Sequence, residues 1–160
     1  MGLKEPGLRG SLRNVSVGID AIPDSVVSRP QDDQTTTQAT KLGVRFEVAN
    51  SYNAIDGRLS ANISGQTTAY IHRVSDASLL GEEDISALSA GDAFRVSADL
   101  DPSEQYNFVI DAGGSDMDHG FIADASFPFT STDVDIVNGA NGPDGTSDSA
   151  LNLIEIGGIL

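Results

Sequence analysis

The densest group of metal-ligating side chains in the sequence is the run Asp116-Met117-Asp118-His119. Asp116 and Asp118 offer two hard oxygens to a calcium or magnesium ion, with His119 beside them and Asp111 or Asp124 able to join from neighbouring strands. Calcium takes about six to eight oxygens, so the run by itself is an incomplete site. A solvated acidic loop accounts for the same residues. Asn138 to Asp148 forms a second oxygen-rich stretch, but its Asn-Gly and Pro-Asp-Gly steps are ordinary turn chemistry. Tyr52, Tyr70, Tyr106, Phe127 and Phe129 could stack on sugar faces, yet most fall where a core needs them. Reactive chemistry has little to work with. There is no Gly-x-Ser-x-Gly elbow, no His-Glu-x-x-His pair and no phosphate-cradling glycine loop. His72 and His119 are the only histidines, and the lack of cysteine excludes disulfides and thiolate metal sites. The chain reads as non-enzymatic, with no catalytic residue and no required cofactor.

These side chains sit on a strongly acidic chain. Of 160 residues 24 are acidic and 9 basic, giving a net charge of −15, and Lys4 and Lys41 are the only lysines. Such a surplus opposes compaction through self-repulsion. In molar salt the Debye length falls to about 3 Å and the repulsion is screened. An Asp-rich, Lys-poor, cysteine-free composition resembles that of proteins from salt-in haloarchaea. Without a basic footprint there is no counterion release to drive nucleic-acid binding. No apolar run approaches the roughly 18–20 residues of a spanning helix, so membrane insertion is not expected. Pro6, Gly7, Gly10 and charges interrupt the first 30 residues, which therefore lack a secretory apolar core.

The elements that must position these groups divide near residue 40. Residues 1–40 carry four basic and five acidic residues, and residues 41–160 carry five basic and nineteen acidic. The first part reads as an extended N-terminal arm and linker. Leu8, Leu12, Val15, Ile19 and Ile22 are scattered apolar anchors, while Pro6, Gly10 and Gly18 limit any helix and Pro23 and Pro30 enforce extended backbone. Gln31 to Thr40 has linker composition. Residues 41–160 read as one β-sandwich domain. Val44, Phe46 and Val48 alternate with Arg45 and Glu47, and the same period of two recurs in Leu59, Ala61 and Ile63, then Phe94, Val96 and Ala98, then Tyr106, Phe108 and Ile110. Thr67 to Val74 is rich in β-branched and aromatic residues. Glu82 to Ala90 suits a loop or one helical turn. Ile122 to Phe129 suits an edge strand because of Pro128, Val134 and Ile136 a further strand, and Leu151 to Ile156 a central one. About eight short strands at this spacing predict an all-β, antiparallel, jelly-roll-like sandwich.

Several stretches carry a resemblance. Tyr70 to Asp76 is an aromatic-x-basic-Val-Ser-Asp run, Leu88 to Asp92 a Leu-x-Ala-Gly-Asp turn, and Leu100 to Asp111 a Leu-x-Pro turn leading into Tyr-x-Phe-Val-Ile-Asp. With Pro128 to Gly142 and the leader Arg9 to Val27, these resemble small sandwich modules in tail and fibre proteins of haloarchaeal tailed viruses. The resemblance implies a virion component whose leader anchors it to the particle and whose sandwich faces outward. Its expected partners are copies of itself, most simply a trimer, and other virion proteins reached through residues 1–40. It would be assembled in the host cytoplasm and exposed on the particle as a tail fibre, turret or other appendage, with a role in host attachment. The alternative is an adhesin module binding carbohydrate or the surface layer of a halophilic archaeon.

Overall fold

The computed structural model describes residues 26–28, 34–38, 41–59, 62, 67–114, 117–121, 126–147 and 153–159. Within these residues the regular structure is entirely β. The strands are β1 (Val26–Ser28), β2 (Gln34–Gln38), β3 (Lys41–Val48), β4 (Tyr52–Leu59), β5 (Thr68–Arg73), β6 (Leu79–Asp84) and β7 (Ala93–Leu100). They continue with β8 (Gln105–Asp111), β9 (Met117–Phe121), β10 (Phe129–Thr130), β11 (Val134–Ala140), β12 (Thr146–Ser147) and β13 (Leu153–Ile159).

Alternation explains how two layers form from them. In β7, Phe94, Val96, Ala98 and Leu100 are buried while Arg95, Ser97 and Asp99 are exposed, the period of a strand with one wet face. Burying such faces takes a second sheet. One sheet has the order β1-β13-β4-β7 and the other β10-β11-β3-β8-β5-β6, with β12 on β11. Every pairing is antiparallel. From β3 to β8 the chain changes sheet at every connection except the β5–β6 hairpin, the interleaved winding of the expected antiparallel sandwich. Phe46, Ile55, Leu59, Ile71, Phe94, Phe108, Ile110 and Ile136 fill the space between the layers. Phe94 meets Phe108 edge-on across the layers, ring centroids 5.6 Å apart, a favoured aromatic geometry. A tyrosine corner joins β7 to β8: the Tyr106 hydroxyl donates to the Asp101 carbonyl at 3.1 Å and accepts from the Asp101 N–H at 2.6 Å.

Several elements differ from the sequence reading. A strand begins earlier than expected, at Tyr52, and β4 runs to Leu59; Ala61 and Ile63 of the strand read from sequence lie outside the described residues. Asp56-Gly57-Arg58 has the composition of a turn. It is a strand because Asp56 lies opposite Arg95 and binds its guanidinium, at 2.6 and 2.9 Å. Gly57 stays small because a Cβ there would stand 3.0 Å from the Phe108 ring and 3.1 Å from that of Phe94. Of Glu82 to Ala90, read as a loop or one helical turn, Ile85 to Ala90 is turn and loop, whereas the exposed acidic residues Glu82, Glu83 and Asp84 end an edge strand that begins at Leu79. Charge on an edge discourages pairing with other sheets. Within the segment read as arm and linker, Val26–Ser28 pairs with β13 and Gln34–Gln38 with Met117–Phe121. The apolar anchors Leu8, Leu12, Val15, Ile19 and Ile22 lie outside the described residues.

Candidate functional site

The polar chemistry of the molecule is concentrated on the outward face of the larger sheet. Register sets its rows: Glu47 on β3 lies beside Asp135 on β11 and Gln105 on β8, and Arg45 lies beside Asn107, which faces His72 on β5. Three arrangements result.

The first is a latch. Asn107 is fully buried although it points away from the core. Its amide donates to the carbonyls of Gly142 and Gly145, at 2.9 and 3.0 Å, and its oxygen accepts from Arg45 Nε at 2.9 Å. Arg45 Nη2 donates to the Asp144 carbonyl at 2.6 Å. The loop singled out for its oxygens thus turns three backbone carbonyls toward donors of its own chain. Burial holds the Arg45 pKa below its ordinary value, with Asp144 acting in the opposite sense.

The second is a cavity of about 220 Å³ between the β3–β4 turn and the β10–β11 turn, lined by Glu47, Ser131, Thr132, Asp133 and Asp135. Each carboxylate is oriented by a donor: Gln105 Nε2 for Glu47, Asn50 Nδ2 for Asp133 at 3.1 Å, and Ser131 N–H for Asp135 at 3.2 Å. Burial, reinforced by the charge of Asp133, raises the pKa of neighbouring Tyr52. Such a lining accepts hydrogen bonds from hydroxyl-bearing or cationic groups. Sequence reasoning missed it. The Asp133-x-Asp135 alternation was visible, but Glu47 arrives only through pairing across 88 positions of chain.

The third is a ledge formed by Tyr70 and His72, ring centroids 5.9 Å apart, next to Leu79. Leu79 is 49% exposed. Burial lowers the His72 pKa, and Lys41 lowers it further. Of the five aromatics weighed for sugar stacking, Tyr52 and Tyr106 are buried, and Phe127 and Phe129 pack partly against the core. Tyr70 is the one on the outward face.

The candidate metal run fares differently. Asp116 lies outside the described residues. Asp118 and His119 fall on β9, opposite Thr37 and Thr36 of β2. Asp111 is engaged by Lys41 at 3.1 Å and by the Gly113 N–H at 3.0 Å, and Asp124 lies outside the described residues. Among the described residues no three His, Asp or Glu side chains converge as a metal site requires.

The basic residues from 41 onward all hold the framework. Lys41 binds Asp111, Arg45 the latch, Arg58 the Gly91 carbonyl at 2.6 Å, Arg73 binds Asp76 at 3.3 Å, and Arg95 binds Asp56. No protein-family model matches the chain, and no curated protein matches it in sequence.

Proposed function

We propose that the chain is a structural component of a haloarchaeal tailed-virus particle, a tail fibre, turret or other surface appendage, tethered by its N-terminal segment and displaying the acidic sandwich outward. One observation carries this reading most directly. Val26–Ser28 is the edge strand of the smaller sheet, so residues 1–25 join the body at a fixed edge, where a tether can leave without disturbing the core. The charge distribution supports it too. The cations from residue 41 onward are engaged within the chain, while Glu82, Glu83, Asp84, Asp92, Asp99 and Asp101 are exposed, a surface suited to molar salt.

Deleting residues 2–25 while keeping Val26–Ser28 tests the tether. The expected result is a sandwich with unchanged melting behaviour that no longer enters particles. Normal incorporation of the truncated chain rejects the proposal.

A second reading, an adhesin for host glycan or surface layer, is favoured by the Glu47–Asp133–Asp135 cavity. Asp133→Ala with Asp135→Ala would then abolish binding to host cells in molar salt while the fold persists.

A further inference from the structure

Strands β2 and β9 form a ribbon of their own, and among the described residues neither pairs with a third strand. Gln38 is three residues from Lys41, so the ribbon begins within about 11 Å of the Lys41/Asp111 end of the β3–β8 ladder. A two-stranded ribbon is marginally stable alone in water. The edges that no described strand covers present backbone N–H and C=O groups that another strand can pair with.

The two edges are not equivalent. β9 carries Asp118 and His119. β2 reads Gln34-Thr35-Thr36-Thr37-Gln38, the same in both directions, and residues 34–40 carry no charge in a chain of net −15. We infer that β2 is a self-association edge, and that two copies of this chain pair β2 with β2 in antiparallel fashion about a twofold axis at Thr36. About that axis every residue faces its mirror position, and the palindrome makes each facing pair an identical, uncharged one. Thr36 falls opposite Thr36 of the second copy, Thr35 opposite Thr37, and Gln34 opposite Gln38. Thr–Thr pairs across antiparallel strands are favourable, and Gln–Gln pairs are the kind that stack in extended sheets. The result is a four-stranded sheet, β9-β2-β2-β9, which places the strands carrying Asp118 and His119 at its outer edges. Because the contact is uncharged, it brings no carboxylates together. The symmetry is twofold, in place of the threefold assembly expected from sequence, and the inference holds whether or not the protein belongs to a virion.

The test uses the full chain in molar salt. Sedimentation should give twice the 16.6 kDa chain mass. The chain has no cysteine, so Thr36→Cys introduces a single thiol. Opposed Cα atoms in antiparallel pairs are about 4.5–5.5 Å apart, within disulfide reach. Under mild oxidant Thr36→Cys should cross-link at least about tenfold faster than Ser89→Cys, which places a thiol on an exposed loop. Adjacent residues in an antiparallel strand direct their N–H groups to opposite edges, so either Thr35→Pro or Thr36→Pro removes a donor from the free edge and should give a folded monomer. A wild-type monomer or trimer overturns the inference. So does Thr36→Cys cross-linking no faster than the control, or dimers persisting in both proline variants.

Discussion

Strands β7 and β8 follow one another in sequence, lie in opposite sheets and are enclosed differently. β7 alternates buried and exposed residues along its whole length, whereas Tyr106, Asn107, Phe108, Val109 and Ile110 of β8 are all buried. The inward faces of the two are alike: Phe94 and Val96 of β7 meet the same core as Phe108 and Ile110 of β8. The difference lies outside. β7 presents Arg95, Ser97 and Asp99 to water, and β8 sits between β3 and β5 with the 141–145 loop drawn onto Asn107. Asn107, buried and polar on the outward face of the larger sheet, therefore marks the place where a loop is fastened to it. It is neither a misplaced core position nor a reactive group.

The largest effect expected follows from placing a charge on each outward face. Val109→Lys forces an ammonium into an enclosed position and should cost about 3 kcal/mol or more. Ser97→Lys at the matching wet position should stay within about 0.5 kcal/mol. Denaturant titrations of both variants in molar salt measure the difference, and equal costs would abolish the contrast between the two strands. Next is Asn107→Ala, which removes a donor from the Gly142 and Gly145 carbonyls and the acceptor from Arg45 Nε. About 2–3 kcal/mol should be lost, and amide exchange should accelerate across residues 141–147 ahead of the core strands. Uniform acceleration would mean that Asn107 supports the sheet as a whole and not the loop.

The same contrast governs what could be read from the sequence. Where one face is wet, as in β7 and the inward row Val44, Phe46 and Val48 of β3, period-two alternation located strands and core residues together. β8 was found through Tyr106, Phe108 and Ile110, but nothing in Asn107 announces burial, because the loop that fastens onto it lies 35 positions away. β4 was missed because Asp56-Gly57 mimics a turn until Arg95 and two phenylalanine rings are brought alongside. β2 was missed because Gln and Thr give no apolar period, and its pairing with β9 is a backbone matter. The cavity carboxylates stayed hidden for the same reason as the latch: register across distant strands assembles them. Sequence spacing alone highlighted Asp116, Asp118 and His119, and spacing does not reveal what a neighbouring strand brings.

A smaller effect is expected at the seam where the edges of the two sheets meet. A Cβ at Gly81 of β6 would lie 2.1 Å from the Ser97 carbonyl oxygen of β7, whereas one at Gly142 meets nothing within 4 Å. Gly81→Ala must push the edges apart and should destabilise by about 1–3 kcal/mol. Gly142→Ala lacks that clash. If the two cost the same, β6 and β7 are not in close apposition, and β7 has a freer edge than its burial pattern suggests.

The smallest effect concerns the turn joining the compared strands and two turns like it. Asp101 accepts from the Ser103 N–H at 2.8 Å and from its hydroxyl at 2.6 Å; Asp84 does the same with Ser86 at 3.0 and 2.6 Å, and Asp76 accepts from the Ser78 N–H at 3.0 Å. Hydrogen bonds to the following serine hold all three carboxyls below their ordinary pKa. A carboxylate with a depressed folded pKa stabilises the fold above its unfolded value, about 3.9, and loses that contribution as pH falls through the lower folded value. Asn in these places keeps an oxygen acceptor but cannot titrate. The triple variant Asp76→Asn, Asp84→Asn, Asp101→Asn should therefore melt like the wild type near neutral pH and show a shallower fall in Tm between about pH 4 and pH 2. Scanning calorimetry across that range gives the two slopes. Identical acid limbs would mean that these three turn carboxylates contribute nothing to the acid sensitivity of the fold.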